Sequence, residues 1–413
     1  MKLPCPASFV LALTALLVSK AQGAAVKPEG PATPEMLAAM NRMSEAGIVE
    51  GRRGSLTFFR WSGAKPPTLV RLGLWGGKID NPLLALASTM PELEGVSLYE
   101  TSVDDEGIRA LVKLPKLRSV EVLPIERYEK QGFGPTQWSY PFVKLRADRP
   151  RLTGKALQVL AQVKTLESLD LQDAQLQSRD LALLSSWPKL GSLGLPNEVD
   201  DETVKHLQAC RRLSTLTLGN REITAEELRR LAGWHSLRKL VLTCAKLSGD
   251  ALEALAGLTT VQRIELIDCG LTDEHLEHLR GSPMLAELAL PRNEINGPAL
   301  AHLAKLKLKS LGLEFNNLRD ETLKDLVPLT NVEDIRLSYC FGVTDRGIQS
   351  GALQSMSNLK RLALRGLKQV TDASVDDLAK LRNLEHLNIR QNGITTNGFA
   401  RLKQAMPKTT VFK

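Results

Sequence analysis

Aromatic residues are scarce in this chain, at 4% of 413 residues, and two other features are missing. No run after the N-terminus reaches the ~18 consecutive apolar residues of a membrane-spanning helix, and there is no block of like charges. These absences argue against a membrane span and against a polycationic nucleic-acid binder, although the net charge is +8. The 43% hydrophobic and 24% charged content is typical of a folded protein.

Recognisable catalytic and metal-binding motifs are also missing. No nucleophile elbow, phosphate-binding loop or dinucleotide fingerprint occurs in the context it requires, and no CxxC spacing is present. His278, His302 and Asp325 occupy matching positions on successive predicted helices, but helices pack about 8–10 Å apart, too wide to share one ion. We therefore predict that the protein is not an enzyme and binds no cofactor or metal.

Residues 1–23 have the pattern of a secretory signal peptide. Lys2 supplies the positive start, residues 9–18 form an apolar stretch, and small residues precede a cleavage point before Ala24. The apolar stretch is too short to cross a bilayer core of ~30 Å. We therefore expect the protein to be exported, to the periplasm, the cell surface or the medium.

The dominant feature of the sequence is an internal repeat of the form LxxLxL. Fourteen copies follow one another at steps of 23 to 27 residues. Their first residues are Leu69, Leu93, Leu117, Phe142, Leu166, Leu190, Leu213, Leu237, Val261, Leu285, Leu308, Val332, Leu359 and Leu384. Such regular spacing indicates one stacked array.

Each copy predicts a strand, a turn and a helix. The alternating LxL places its leucines on one face of a short strand, and apolar pairs three residues apart then form a helical stripe. Residues suited to capping a helix N-terminus stand between the two, namely Thr224, Ser248, Thr272, Thr344, Thr371 and Thr395. A single unit cannot bury its apolar face, so the copies must stack.

The clearest copies, "LSYCFGVTDRGI" at Leu337–Ile348 and "LRGLKQVTDASV" at Leu364–Val375, resemble the leucine-rich repeat. More narrowly, they are similar to the helix-backed, cysteine-containing or ribonuclease-inhibitor-like subclass, which also occurs in F-box-partner proteins and secreted bacterial proteins. The resemblance implies an α/β solenoid, a horseshoe with a parallel sheet on the concave face and helices on the convex face. It also implies a protein-binding role.

The predicted organisation has five parts. They are a signal peptide at 1–23, a flexible leader at 24–32, an N-terminal capping region at 33–68, about fourteen repeats at 69–408 and a C-terminal cap strand at 409–413. Within the capping region we expect a helix from Pro34 and a strand from Leu56. Caps are expected because the end repeats would otherwise expose core.

Four cysteines lie beyond the signal peptide. Cys269 and Cys340 stand eight residues after their repeat starts, where other copies have asparagine, which predicts a buried turn position. A bridge between these two would span ~15 Å, beyond the ~7 Å limit for Cα atoms. A bridge between Cys244 and Cys269, which lie in adjacent repeats, stays open.

Residues two, four and six positions after each repeat start should face away from the leucines, on the concave face. The candidate protein-binding residues on this face are Trp75, Tyr99, Arg336, Arg361, Arg365, His386 and Arg390. One interpretation is a stripe that prefers anions and suits an acidic protein segment. The other is a set of solubility charges paired with Glu287, Glu314 and Asp334.

The segment Pro124–Pro141 replaces an expected helix and carries four aromatic residues. These rings either anchor an interface or fill the gap that the missing helix leaves.

The function we predict is that of an exported, non-enzymatic scaffold that binds a protein partner, possibly acidic, through its concave face. The alternative is an F-box-like substrate-recognition subunit of a ubiquitin ligase. No F-box-like helical region precedes the repeats, and the signal peptide argues against a cytosolic location. An enzyme with an unrecognised concave-face site is a third alternative.

Overall fold

The computed structural model describes residues 34–45, 48–49, 52–53, 56–61, 69–99, 101–123, 151–279 and 283–413. The chain divides into two compact units, Met1–Leu166 and Glu167–Lys413. The predicted signal peptide and leader, the aromatic segment and the repeat start at Phe142 lie outside the described residues. Among the described residues, no helix combines the length and apolar character needed to cross a membrane.

The first unit contains a sheet whose first strand, Leu56–Trp61, runs antiparallel to the strand of the first repeat, Leu69–Trp75. The strands Gly95–Tyr99 and Ser119–Leu123 then follow in parallel, and a small antiparallel pair joins Ile48–Val49 to Arg52–Arg53. The helices are Pro34–Glu45, Asn81–Ala85 and Gly154–Leu160, with 3₁₀ helices at Leu86–Thr89 and Gly107–Lys113. The antiparallel strand protects the edge of the first repeat, as a solenoid end requires.

The second unit contains a sheet in which every strand is parallel to the next strand along the chain. Its strands are Ser168–Asp170, Ser192–Leu195, Thr215–Gly219, Lys239–Thr243, Arg263–Ile267, Glu287–Ala289, Ser310–Gly312, Asp334–Arg336, Arg361–Ala363, His386–Asn388 and Thr410–Phe412. A second, small parallel sheet pairs Glu222–Ile223 with Lys246–Leu247 in the turns.

A layer of short helices follows these strands. The α-helices are Asp201–Ala209, Ala225–Leu231, Gly249–Ala254, Asp273–His278, Asp345–Gln349, Val375–Leu378 and Thr396–Ala405. The 3₁₀ helices are Ser178–Ser186, Leu255–Gly257, Pro298–Lys305, Asp320–Leu326 and Asp372–Ser374. A 3₁₀ helix rises ~2.0 Å per residue against ~1.5 Å for an α-helix, so it spans the same distance with fewer residues. A 3₁₀ helix is therefore suited to a short repeat, in which few residues are available to form the helix layer.

The register of the sheet places equivalent repeat positions side by side. Leu240 pairs with Leu216 on one side and with Ile264 on the other. All three are at most 1% exposed, and burying such a side chain stabilises the fold by about 1.5–3 kcal/mol. The core therefore lies between the sheet and the helix layer, and the predicted α/β solenoid is confirmed.

At several helix N-termini among the described residues, a carboxylate from an earlier repeat accepts hydrogen bonds from the residue that caps the helix. Asp345 accepts hydrogen bonds from the backbone N–H of Thr371 at 2.8 Å and from its hydroxyl at 2.6 Å, and also from the Ser374 hydroxyl. The same arrangement joins Asp105 to Thr153, Asp320 to Thr344 and Asp372 to Thr395. The hydroxyl of Thr395 holds the pKa of Asp372 below its usual value. These bonds tie one repeat to the next and satisfy free helix N–H groups.

A second set of hydrogen bonds between repeats is formed at the buried turn position predicted for asparagine and cysteine. The Asn293 side chain accepts from the backbone N–H of Cys269 and of Leu271, each at 3.0 Å, and donates to the carbonyl of Leu266 at 2.9 Å. The Cys340 thiol donates to the carbonyl of Leu313 at 3.0 Å, and burial raises its pKa to about 12. Cys210, Cys244, Cys269 and Cys340 are all free thiols, so Cys244 and Cys269 are not bridged.

We predict that Asp345→Ala lowers the free energy of unfolding by about 1–3 kcal/mol, because it leaves donors at the next helix N-terminus without a partner. The matched control is Asp376→Ala, which removes an exposed carboxylate that pairs with Arg401 at 2.8 Å. A surface pair of this kind contributes about 0.2–1 kcal/mol. Urea unfolding followed by circular dichroism measures the free energy of unfolding of both variants. Equal losses would show that the hydrogen bonds of Asp345 to the next repeat do not stabilise the fold.

Candidate functional site

The side chains two, four and six positions after each repeat start form the open face of each sheet, opposite the helices. In the strand Lys239–Thr243 the leucines at 240 and 242 are 0% exposed, while Lys239 and Thr243 are half-buried on the other face. Because the register is shared, side chains at one repeat position form a row across the strands. The candidate binding residues all belong to these rows.

In the first unit, the open face is largely occupied by its own contacts. Ser97 donates to the Glu121 carboxylate at 2.7 Å, and Arg71 lies 3.8 Å from that carboxylate. Burial raises the pKa of Glu121 against the effects of both neighbours. Tyr99 is only 7% exposed. Trp75 ends its strand, and its side chain lies outside the described part of the unit.

The middle strands of the second unit also fill their own surface. The amide of Gln172 donates to the Asp170 carboxylate at 3.1 Å and its carbonyl accepts from the Thr243 hydroxyl at 2.9 Å. These side chains lie over the glycines of the intervening strands. A methyl group added at Gly194 would meet Asp170 at 2.0 Å, and one at Gly219 would meet Gln172 at 2.9 Å. The glycines provide the space for this polar cluster.

Charges of opposite sign alternate in the next strands. Glu265 is 2% exposed and lies 2.9 Å from the Lys239 ammonium and 2.6 Å from the Arg263 guanidinium. Arg263 also reaches Glu287 at 2.5 Å. A buried carboxylate needs such partners, because desolvation would otherwise exclude its charge. Lys239 and Arg263 are therefore fixed by ion pairs with acidic side chains of the same face.

Two of the predicted arginines belong to a similar network. Arg336 lies 2.9 Å from the Glu314 carboxylate and 3.9 Å from Asp334, and Arg361 lies 3.5 Å from Asp334. Burial raises the pKa of Glu314, and the Arg336 guanidinium opposes that shift. Gly312 makes room, since an added methyl group would meet Arg336 at 2.5 Å. For Arg336 and Arg361 the pairing interpretation describes what the structure shows.

Arg365 and Arg390 differ, because neither forms an ion pair with an acidic side chain among the described residues. Arg365 donates to the Gln391 side chain at 3.1 Å, and its guanidinium lies 5.8 Å from the centre of the Tyr339 ring. Arg390 lies 5.7 Å from the centre of the Phe412 ring. His386 faces the same ring at 6.3 Å. The last strands therefore present a basic and aromatic surface.

A feature that sequence reasoning missed lies one residue beyond these rows, seven positions after the repeat start. The non-glycine residues with a left-handed backbone are Asn220, Cys244, Asp268, Arg292, Phe315, Tyr339 and Gln391, with φ between 48° and 63°. Every one of them occupies this position, and so does Gly366 at φ 80°. The recurrence of Asn, Asp and Gly at this position could have predicted the left-handed backbone from the sequence, because these residues tolerate that conformation.

Two aromatic residues at this position stack on each other. The ring centres of Phe315 and Tyr339 are 4.4 Å apart at 12°, and Arg292 lies 5.2 Å above Phe315. Phe341, which is 48% exposed, meets Tyr339 edge-on at 6.2 Å. We call Phe315, Tyr339 and Phe341 the aromatic edge. The left-handed conformation costs about 1–2 kcal/mol for each of Phe315 and Tyr339, and their single ring pair returns about 0.5–1.5 kcal/mol, so stacking recovers only part of the cost.

We predict that Gly366→Ala destabilises the fold more than Gly270→Ala. Both glycines have left-handed φ angles, 80° and 63°, but a methyl group at Gly366 would lie 2.3 Å from the Tyr339 ring, whereas Gly270 has nothing within 4 Å. Alanine at either position costs about 1–2 kcal/mol in backbone strain, and the clash at Gly366 adds about 1–3 kcal/mol. Thermal unfolding compares the two, and equal shifts would show that the ring does not pack on Gly366.

The histidines considered for metal binding pair with acids. His278 lies 3.1 Å from Glu253, and His302 lies 3.7 Å from Glu277. Within the described ranges, no group of three or more His, Cys, Asp or Glu side chains is placed to hold an ion.

Parallel strands, a backing layer of helices and ladders of equivalent positions define a repeat solenoid. The family model described as Leucine Rich repeat matches residues 380–400, which include the strand His386–Asn388. The chain therefore has the fold of an α/β leucine-rich repeat solenoid, and this fold is typical of scaffolds for protein–protein interaction. No curated protein matches the sequence.

Three solved structures resemble the chain at low identity. An internalin (inlF) from Listeria monocytogenes is 19% identical over 79% of this chain and 82% of its own, with a TM-score of 0.38. A leucine-rich repeat protein of Leptospira interrogans is 16% identical over 79% and 92%, with a TM-score of 0.36. The plant peptide hormone receptor RGFR1 in complex with RGF2 is 16% identical over 85% and 51%, with a TM-score of 0.33. At these TM-scores, the fold assignment depends on the repeat and the sheet of this chain.

Proposed function

We propose that the protein is an exported, non-enzymatic scaffold of the helix-backed leucine-rich repeat subclass that binds an acidic segment of a protein partner on its open face. The observation that carries this proposal is that Arg365 and Arg390 have no acidic partner among the described residues, although other basic side chains of the same face do. Arg361 contributes to the same surface, with 44% of its side chain exposed.

The chemistry of these side chains favours carboxylates. A guanidinium offers several N–H donors in a planar fork, which suits a carboxylate. Aromatic rings beside Arg365 and Arg390 restrict both side chains without neutralising them. Because the arginines stand on or directly after hydrogen-bonded strands, little backbone needs to be ordered on binding.

The charge-reversal variant Arg361→Glu, Arg365→Glu, Arg390→Glu tests this surface. We expect it to lose at least tenfold in affinity for a fluorescein-labelled decaglutamate peptide, measured by fluorescence anisotropy at physiological salt. Arg336 is left unchanged, because removing its guanidinium would strand the buried Glu314 carboxylate.

The matched control is Lys205→Glu, Arg211→Glu, Arg212→Glu, three exposed positions on the helix Asp201–Ala209 and the turn that follows it. Both variants lower the net charge equally, so a general electrostatic effect would weaken binding in both. Equal losses would therefore reject a specific surface, and circular dichroism checks that each variant is folded.

Export is tested separately by N-terminal sequencing of the protein from its native source. We expect cleavage after Gly23, so that the mature chain begins Ala24-Ala25-Val26. Recovery of an uncleaved cytosolic chain that begins at Met1 would contradict export and would favour the ubiquitin-ligase alternative.

A further inference from the structure

We propose that the aromatic edge, Phe315, Tyr339 and Phe341, is the anchor for a large apolar side chain of the acidic segment. The ligand is then an acidic peptide with an apolar residue near its carboxylates, and not an acidic stretch alone. This inference rests on the proposed function, but the three anchor residues lie outside the arginine surface.

The backbone conformation of the aromatic edge points to a role outside the fold. Position seven adopts a left-handed φ across successive copies, and several of them fill it with Asn220, Asp268 or Gly366, which tolerate that conformation. Phe315 and Tyr339 hold the same conformation at φ 59° and 63° with bulky rings. The turn does not require a ring there, because its neighbours form the same turn without one. Strained residues of this kind cluster at ligand sites.

The rings of the aromatic edge are covered on some sides and exposed on others. Phe315 and Tyr339 cover each other's inner faces, with Arg292 over the outer face of Phe315 and the Gly366 backbone against Tyr339. Phe341 stands edge-on to Tyr339 and is 48% exposed. The stack therefore fixes the position of an exposed ring that an apolar side chain can cover. A small rigid aromatic site of this kind is typical of an interface hot spot.

The charge beside the aromatic edge is positive. The Arg365 guanidinium lies 5.8 Å from the centre of the Tyr339 ring, and Gln391 joins the two through hydrogen bonds to the Tyr339 hydroxyl at 3.0 Å and to Arg365 at 3.1 Å. Ring edges also carry partial positive charge. Carboxylates and an apolar side chain can thus be bound side by side, which matches an acidic peptide and excludes a basic one.

The test compares three labelled peptides by fluorescence anisotropy: EEEELLEEEE, EEEESSEEEE and KKKKLLKKKK. Wild-type protein should bind the first peptide at least tenfold more tightly than the second and should not bind the third. Phe341→Ser and Tyr339→Asn should each reduce affinity for the leucine peptide at least tenfold, to the level of the serine peptide. The control Met284→Ser, at a 54% exposed methionine in another turn, should change it less than twofold.

Thermal unfolding separates a binding role from a structural one. Because asparagine tolerates the left-handed conformation, Tyr339→Asn should leave the melting temperature unchanged or raise it while affinity falls. A lowered melting temperature with unchanged affinity would assign the rings to the fold and overturn the anchor.

The remaining outcomes also decide the question. Equal binding of the two glutamate peptides would overturn the anchor and leave the acidic partner of the proposed function standing. Failure of both glutamate peptides to bind would overturn the two proposals together. Tight binding of the lysine peptide would show non-specific apolar association. Self-association that Phe341→Ser abolishes without affecting peptide affinity would make a second copy of the chain the occupant.

Discussion

The shared register of the repeats is the constraint on which the rest of the structure depends. One repeat exposes an apolar strand face and an apolar helix stripe, and only another repeat with the same spacing can cover both. Stacking in this way places Leu216, Leu240 and Ile264 side by side. Stacking also aligns the residues at every other repeat position, whether or not their charge or shape is favourable there. Each position in the repeat therefore becomes a row with its own physical requirement.

The rows meet those requirements with different chemistry. Buried turn positions need hydrogen-bonding groups, which Asn293 and Cys340 supply, and helix starts need acceptors, which Asp345 supplies from the preceding repeat. On the open face, where like charges would otherwise meet across ~4.8 Å, acidic and basic residues alternate. The Glu265 carboxylate is held in this way by Lys239 and Arg263. Arg365 and Arg390 are basic groups of this face with no acidic partner among the described residues, and they form the surface that we propose for a partner.

Position seven shows how a repeating backbone requirement bears on function. In the eight copies from Leu213 onward a left-handed residue follows the strand, and glycine or asparagine meets that need at low cost. Phe315 and Tyr339 accept a less favourable conformation and recover only part of that cost by stacking, so that the stack does not explain itself by stability. Gly366 completes the arrangement, because only a residue without a side chain leaves room for the Tyr339 ring. Stability by itself does not explain two adjacent rings at this position.

The features that sequence reasoning predicted correctly are those set within one repeat or by its spacing. The period of 23 to 27 residues predicts the stacked strands, the alternating leucines predict the core, and Thr224 is predicted to cap a helix N-terminus, which it does in the structure. Helix type was less predictable, since the apolar pairs three residues apart fit either an α-helix or a 3₁₀ helix, and the segment Pro298–Lys305 is a 3₁₀ helix.

The amino-acid sequence by itself determined the repeat, its core and the positions that face away from it, since these follow from local periodicity. Only the tertiary structure decided which arginines form ion pairs with acidic side chains and which have no acidic partner among the described residues. Arg336 and Arg365 occupy open-face positions of neighbouring repeats, yet Glu314 holds Arg336, while Arg365 lies beside Gln391 and Tyr339. These partners lie 22 to 26 residues away along the chain and come together only when strands stack. The pairing of charges, and with it the candidate site, depends on distances between side chains of different repeats. The sequence of a single repeat does not contain that information.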